Sequence, residues 1–456
     1  MVDTTFLTRL PYSEGLDEFG MAGKGVMVNH DIECWKSNRH FFNKAISSPS
    51  FDSEAIEWFI KLFKELEGYW ESLVNLSLSN DSLQDNENNW SLETDLFSWL
   101  RGIMSDTVIV LVTGKRSYSM ASYHNSISPI KVNYFDEVIE DIDAFINEIK
   151  IHLLGTAYFL SLGPFIRHHV PFVKDKVKVL IENRDSLFEK LDSIIKKRRK
   201  EIEETPISAE LKHDMLTSLI IANTERDVST AKTVRDDLLR PLTDIEIRGN
   251  LLDVFLGGVG TTQHLFSFLT YYVCHHPQVK QKMLAEKDSI FPPNIPFHLK
   301  PEDLSKLEYC NAIINETGRI MPLVNEMVRH TNQSCEVAGY QWDAKTTFHI
   351  NINGFHSHQD YWSDPEIFNP DRFYRQNNSV KEMHKIAMIA FGGGLRICPG
   401  RKLAMIELLS LMVLLFGKYD VELVDMNAPL KVKSGVTTMC EELPVVIKPR
   451  IKYSHT

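Results

Sequence analysis

Apolar residues recur at i, i+3 and i+4 along seven stretches, 51–73, 92–112, 135–154, 173–199, 244–274, 301–320 and 401–416, a period that predicts helices. Strand signals are sparse: β-branched, alternating positions occur at 346–352 and again between 430 and 447. Polar runs at 77–89, 121–132 and 206–212 read as surface loops, and none is long enough to separate domains. No segment repeats another. The pattern therefore predicts one mainly α-helical domain over residues 1–456, with small β-sheets at its periphery.

Composition supports a large buried core, because 43% of the 456 residues are hydrophobic and only 24% charged, far from the usage of disordered chains. Asp and Glu number 61 against 50 Lys and Arg, and the net charge of −11 argues against a nucleic-acid-binding surface spread over the whole protein. The charge block at 196–204 ends a predicted helix and reverses sign within its length, so it reads as a solvated helix end. Six cysteines, at 34, 274, 310, 335, 398 and 440, are few for this length and form no C-x-x-C pair, so neither a disulfide scaffold nor a zinc ribbon is suggested. The first nine residues carry no apolar run, and the longest later run, 408–416, is about half of the ~20 residues a membrane span needs. As written, the chain reads as soluble or peripheral to a membrane.

Three stretches resist a purely structural account. Gly257, Gly258 and Gly260 lie inside an apolar helical pattern, where each glycine costs about 1 kcal/mol relative to alanine. Their bareness lets something flat lie against the helix backbone, or lets a second helix pack closely. Thr261 and Thr262 can bond a hydroxyl to the carbonyl four residues back and loosen the helix there. Glu316 and Arg319 share one helix face among apolar neighbours, so the pair is expected to be partly buried and to need further partners. Cys398 sits in a glycine-rich loop, Phe391 to Gly400, with Arg396 two residues before it and an apolar helix directly after, surroundings that favour a thiolate. A nucleophile would want a positioned histidine base, and no such signature accompanies it. Axial ligation of haem iron fits better.

With these residues in view, the sequence resembles the cytochrome P-450 family. Phe391, Gly394, Arg396, Cys398 and Gly400 fill the family's F-x-x-G-x-R-x-C-x-G signature, with Ala404 at the small position beyond it. Glu316 and Arg319 fill E-x-x-R, and Arg372 within Asn369-Pro370-Asp371-Arg372-Phe373 matches the arginine that completes that network. Trp35 and Arg39 form the W-x-x-x-R of a helix that meets the haem edge, and Phe255 to Thr262 falls where the oxygen-binding helix belongs. The resemblance implies a haem-binding region at 391–404 holding haem b (iron protoporphyrin IX), with Cys398 as the iron ligand. It further implies that Trp35, Arg39, Arg329 and Arg396 hold the haem propionates, that Phe391 packs beside the sulfur, and that Gly257, Gly258 and Gly260 make room for porphyrin and oxygen. Thr261 then serves the chemistry at bound oxygen.

The implied activity is monooxygenation: one oxygen atom of O2 enters a lipophilic small molecule, with electrons from NADPH through a separate flavoprotein reductase or from cytochrome b5. Lys381, Lys385, Arg401 and Lys402 would form the docking face for that acidic partner. By family position the pocket would be lined by 13–30, 159–172, 323–328 and 434–439, with Asn325 or Glu326 as a polar anchor. The remaining histidines read as loop or core residues.

Two departures from the family pattern stand out. Gly260 occupies the place of the acid that usually precedes the conserved threonine, which brings isomerase or lyase chemistry on peroxides into view as an alternative. Trp35 follows only 34 residues, fewer than the family places before it, so the domain reads as N-terminally incomplete, lacking the anchor, first helices and first strands. A non-catalytic remnant is then a third reading. Localisation at the endoplasmic reticulum membrane would follow from microsomal relatives alone.

Overall fold

A computed structural model of the chain describes residues 6–80, 90–374 and 386–450, apart from 22, 47, 136, 228–239, 293–297 and 436. Helices α1 (Glu14–Glu18), α2 (Ile32–Ile46) and α3 (Pro49–Asn80) lead into β1 (Leu92–Asp95), and α4 (Leu96–Thr113), α5 (Ser119–Ile127), α6 (Ile142–Ser161) and α7 (Pro164–His169) follow. Next come α8 (Pro171–Glu204), α9 (Met215–Ile221), α10 (Asp244–Gly258), α11 (Gly260–His275), α12 (Pro277–Ile290), α13 (Pro301–Leu304) and α14 (Glu308–Ile320). Strands β2 (Glu326–His330), β3 (Cys335–Val337), β4 (Tyr340–Trp342) and β5 (Thr347–Asn351) precede α15 (Ile352–Ser357) and the helix after the cysteine loop, α16 (Arg401–Lys418). Four strands close the chain: β6 (Tyr419–Leu423), β7 (Val432–Ser434), β8 (Thr438–Cys440) and β9 (Pro444–Pro449).

The result is the mainly helical fold with small sheets that the apolar period predicts. Every strand pair is antiparallel: β1-β9-β6 form one sheet, and β2-β5, β3-β4 and β7-β8 form two-stranded ribbons. Helix α4 is long and apolar enough to cross a membrane by composition, yet it is mostly buried. It packs against α3, α5, α10 and α11. That burial explains why its apolar residues run round the helix rather than along a stripe.

Several boundaries differ from the sequence pattern, for local reasons. Residues 92–95 pair with β9, and the Asp95 carboxylate then accepts from Phe97 N to start α4. The expected loop at 121–132 begins as α5, anchored by the buried Asp106 carboxylate, which accepts from the backbone N–H groups of Ser119 and Met120. The helix expected over 135–154 starts at Ile142, where Asp141 accepts from Ala144 N, and runs on to Ser161. The 301–320 stretch divides into α13 and α14, and Ser77–Asn80 continue α3, while 81–89 lie outside the described residues. The block at 196–204 is not wholly solvated: Arg198 is buried, bonded to Asp214, Thr217 and the Thr113 carbonyl. Its exposed neighbours, not Arg198, carry the solvated face.

Candidate functional site

The cysteine loop rests on α14. There the Glu316 carboxylate, fully buried, accepts from Arg319 Nε and Nη2 at 2.7 Å each, from Asn369 N at 2.9 Å and from Arg372 Nε at 3.3 Å. Arg319 Nη1 also donates to the carbonyls of His356 and Pro365, at 2.9 and 2.7 Å. This network ties α14, α15 and the 363–373 segment into one block, and the block carries the loop: Ile389 N donates to His356 Nε2 at 3.1 Å, and Gly318 lies against Ala390. Gly392 and Gly394 adopt φ of +74° and +62°, a region that only glycine enters cheaply, and so turn the loop. Cys398 N then donates to the Phe391 carbonyl at 2.8 Å.

The turn delivers Cys398 to the N-terminus of α16, where the backbone N–H groups of Gly400 and Arg401 face its sulfur. Burial pushes the Cys398 thiol up from its ordinary value, against the pull of those N–H groups and of Arg9 and Arg39. A thiolate at this depth therefore wants a direct cationic partner, and a metal ion is the strongest such partner.

Around that cysteine the chain gathers four arginines. Arg396 donates to the carbonyls of Leu7 at 2.5 Å and of Val26 and Asn29 at 3.1 Å each, and lies 3.9 Å over the Trp35 ring. Arg39 Nη2 donates to the Ile397 carbonyl at 2.7 Å, Arg329 Nη1 to the Val328 carbonyl at 2.8 Å, and Arg9 only weakly to Met27 and Arg396 carbonyls at 3.4 Å. Burial, then repulsion from neighbouring arginines, pushes Arg396 down to about 9 and Arg329 to about 10, and burial lowers Arg39 and Arg9 against the pull of Cys398 on both and of Asp253 on Arg9. Asp253 is the acid that answers them, and it spends one oxygen on the N–H groups of Val26 and Met27. Among the described residues, four guanidiniums against one carboxylate leave positive charge in excess, and Trp35 Nε1 is buried with no partner. A dianionic group would supply what both lack.

Helices α10 and α11 meet at a break at Val259. Thr261 Oγ1 donates to the Gly257 carbonyl at 2.7 Å, as expected of a threonine that loosens a helix. A Cβ on Gly257 would meet nothing within 4 Å, and the same holds for Gly393 and Gly400, so these glycines face open space. Gly258 does not: its Cβ would come within 3.2 Å of Val108, so its bareness serves packing of α10 on α4 rather than room for a ligand.

The profile of the Cytochrome P-450 family matches residues 4–448. The chain belongs to the cytochrome P-450 family. It is similar to steroid 17-alpha-hydroxylase/17,20 lyase of Felis catus, at 26% identity over 67% of this chain and 58% of that one. It is also similar to methyltetrahydroprotoberberine 14-monooxygenase of Papaver somniferum, at 32% identity over 46% of this chain and 40% of that one. The chain thus spans about half the length of the curated relatives it matches. Among solved structures, the cytochrome P-450DA haem domain aligns with a TM-score of 0.70 at 18% identity, over 96% of this chain and 82% of that one.

Within the cytochrome P-450 fold, the structure brings Trp35, Arg39, Arg329, Phe391, Arg396, Cys398 and Gly400 together, while Gly257 and Thr261 meet each other at the α10–α11 break. Arg396 is more committed to backbone carbonyls than its expected role implies, though its two terminal nitrogens each keep one N–H. Of the expected docking residues, Arg401 and Lys402 are exposed, Lys402 pairing with Asp52, and Lys381 and Lys385 lie outside the described residues. Segments 323–328 and 434–439 do converge: Thr438 N donates to the Leu323 carbonyl at 2.8 Å. Asn325 is occupied there, bonding Gly435 O and Thr438 Oγ1, and Glu326 is an exposed partner of His349, so neither is free as a polar anchor. Arg9 and Asp253 were missed. Nothing local marks Arg9, because its neighbours Met27, Asp253 and Arg396 are distant in sequence.

Proposed function

We propose that this chain is a haem-thiolate monooxygenase that inserts one oxygen atom from O2 into a lipophilic small molecule, with electrons from NADPH delivered by a separate flavoprotein reductase. The observation that carries the reading is the set of unmet valences around Cys398: a buried thiol at a helix N-terminus, an arginine cluster short of negative charge, and an unpartnered Trp35 Nε1. Haem b answers all three. Cys398 would hold its iron, and Trp35, Arg9, Arg39, Arg329 and Arg396 its two carboxylates. When bound, that group supplies reductive activation of O2, one oxygen atom leaving as water and the other entering a C–H bond.

The remaining work falls to the protein. The N–H groups of Gly400 and Arg401 and the N-terminus of α16 hold negative charge on the sulfur. Phe391, whose ring lies under the Arg401 guanidinium and whose carbonyl accepts from Cys398 N, would pack beside the sulfur. Thr261 places a hydroxyl at the open face of the helix break, where it can hold a water molecule. Leu323, Val324, Met327 and Val328 favour an apolar substrate, which agrees with the steroid and the methyltetrahydroprotoberberine in the names of the two curated relatives. Exposed Arg401 and Lys402 flank the cysteine loop and suit an acidic electron donor.

The test is turnover of a panel of apolar compounds under 18O2 with NADPH and reductase. Incorporation of a single 18O atom, dependent on NADPH, is the expected result. Gly260 in place of an acid favours a second reading, isomerisation or cleavage of a peroxide, and that reading predicts product without NADPH.

A further inference from the structure

Gly260 leaves a gap where a side chain could otherwise reach the open wall of the α10–α11 break, and one titratable group faces that gap. His264 Nε2 lies 4.0 Å from the point a Cβ on residue 260 would occupy. Residues 257, 260, 261 and 264 are spaced as one helix face, so the imidazole shares its stripe with the open Gly257 and with Thr261. The ring is fixed on its other edge: Cys440 N donates to Nδ1 at 3.0 Å, and the Phe97 ring stacks on the imidazole at 5.3 Å and 28°.

Those contacts settle where the proton sits. Burial, helped by the Lys150 cation, holds His264 down at about 4, so the ring is neutral. In a neutral imidazole whose Nδ1 accepts, Nε2 carries the hydrogen. That N–H meets no protein acceptor among the described residues. It is a preset donor beside the gap at Gly260, one turn along from Thr261.

We infer that His264 is a positioning residue which, from the helix turn after Gly260, supplies the hydrogen-bond donor that orients water and distal ligands beside Thr261. The inference rests on the haem reading and adds to it a residue that reading does not require. Because Nδ1 is blocked by Cys440 N–H, the ring cannot pass a proton through itself. Its part is orientation, with no bond made or broken at the ring.

Two variants separate this role from simple support of β8. His264→Asn keeps an acceptor near the Nδ1 position for Cys440 N but removes the donor at Nε2, whereas His264→Gln keeps a donor near Nε2 and surrenders the Cys440 contact. The parent and both variants are loaded with haem, haem content is measured from the pyridine haemochrome, and the affinity of the ferric protein for cyanide is titrated. Loss of one donor to the bound anion should weaken cyanide in His264→Asn by about threefold to tenfold, with His264→Gln staying near the parent. Uncoupled peroxide release per NADPH should rise in the same variant. Equal cyanide affinity in loaded His264→Asn and parent overturns the inference alone. So does weakening in both variants that follows only their loss of melting temperature. A parent chain that takes up no haem overturns the haem reading, and the inference with it.

Discussion

Replacing Glu316 by glutamine should unfold much of what positions the cysteine loop. The carboxylate is fully buried and accepts two bonds from Arg319, one from Arg372 and one from the backbone of Asn369, while Arg319 itself is only 2% exposed. A glutamine amide offers one acceptor oxygen and turns its NH2 toward guanidinium donors. Arg319 would stay in place, because the His356 and Pro365 carbonyls still hold it, but as an uncompensated buried cation. Breaking a buried pair from one side costs about 3–5 kcal/mol. That is a large share of the roughly 5–15 kcal/mol by which domains are stable. Urea unfolding followed by far-ultraviolet circular dichroism measures it, with Glu422→Gln as the control. Glu422 pairs with Lys448 where both side chains are about half exposed, at 55% and 47%, and its loss should cost less than about 1 kcal/mol. An E316Q midpoint within the range of that control would refute the view that this network is the structural floor of the site.

Three further outcomes follow from named contacts. Trp35→Phe keeps the ring packing but removes the unpartnered Nε1 donor, so haem should leave faster by about tenfold or more, as measured by transfer to apomyoglobin; unchanged release would mean that Nε1 meets no haem carboxylate. Glu407, in α16, is buried beside Thr262 and pushed up to about 8 from 4.5, so its folded form binds the proton more tightly than its unfolded form. Its contribution to stability is full below about 4.5 and is lost as pH rises through about 8. Stability of the parent should fall between about pH 5 and 8 at no more than about 1.4 kcal/mol per pH unit and level off above that, and Glu407→Gln should flatten the slope. Gly68→Ala, in open space on α3, should stabilise by up to about 1 kcal/mol, whereas Gly15→Ala would drive a methyl into the Phe159 carbonyl oxygen and should destabilise strongly; melting temperatures that move together would contradict this account of the two glycines.

The chemistry of the site was legible where it is local. Phe391 to Gly400 and Glu316 to Arg319 are short, and the physics of a glycine turn, a helix N-terminus and a buried ion pair is contained within each. The arginine cluster was partly legible, since Arg39, Arg329 and Arg396 carry the resemblance, but Arg9 and Asp253 join it only through tertiary contacts across more than two hundred residues. His264 could have been found, because it follows Gly260 by four positions on a predicted helix. It was passed over because a lone histidine among apolar neighbours is usually core. Helix α4 was the other surprise: a mostly buried helix has little amphipathic stripe, so its apolar run gives length and depth but not the strand at its start, which depends on β9 lying beside it. Gly258 shows the converse limit, since sequence offers the same bareness for a ligand and for a neighbouring helix, and only Val108 decides between them.

The central claim is that Cys398 holds haem iron as a thiolate. Carbon monoxide difference spectroscopy of the dithionite-reduced, purified protein tests it most directly, because a thiolate opposite carbon monoxide moves the Soret band strongly to the red. The account predicts that red-shifted band in the parent chain and its loss in Cys398→Ala. A band at the ordinary haem position in the parent, or the same red-shifted band after Cys398 is replaced, would contradict it.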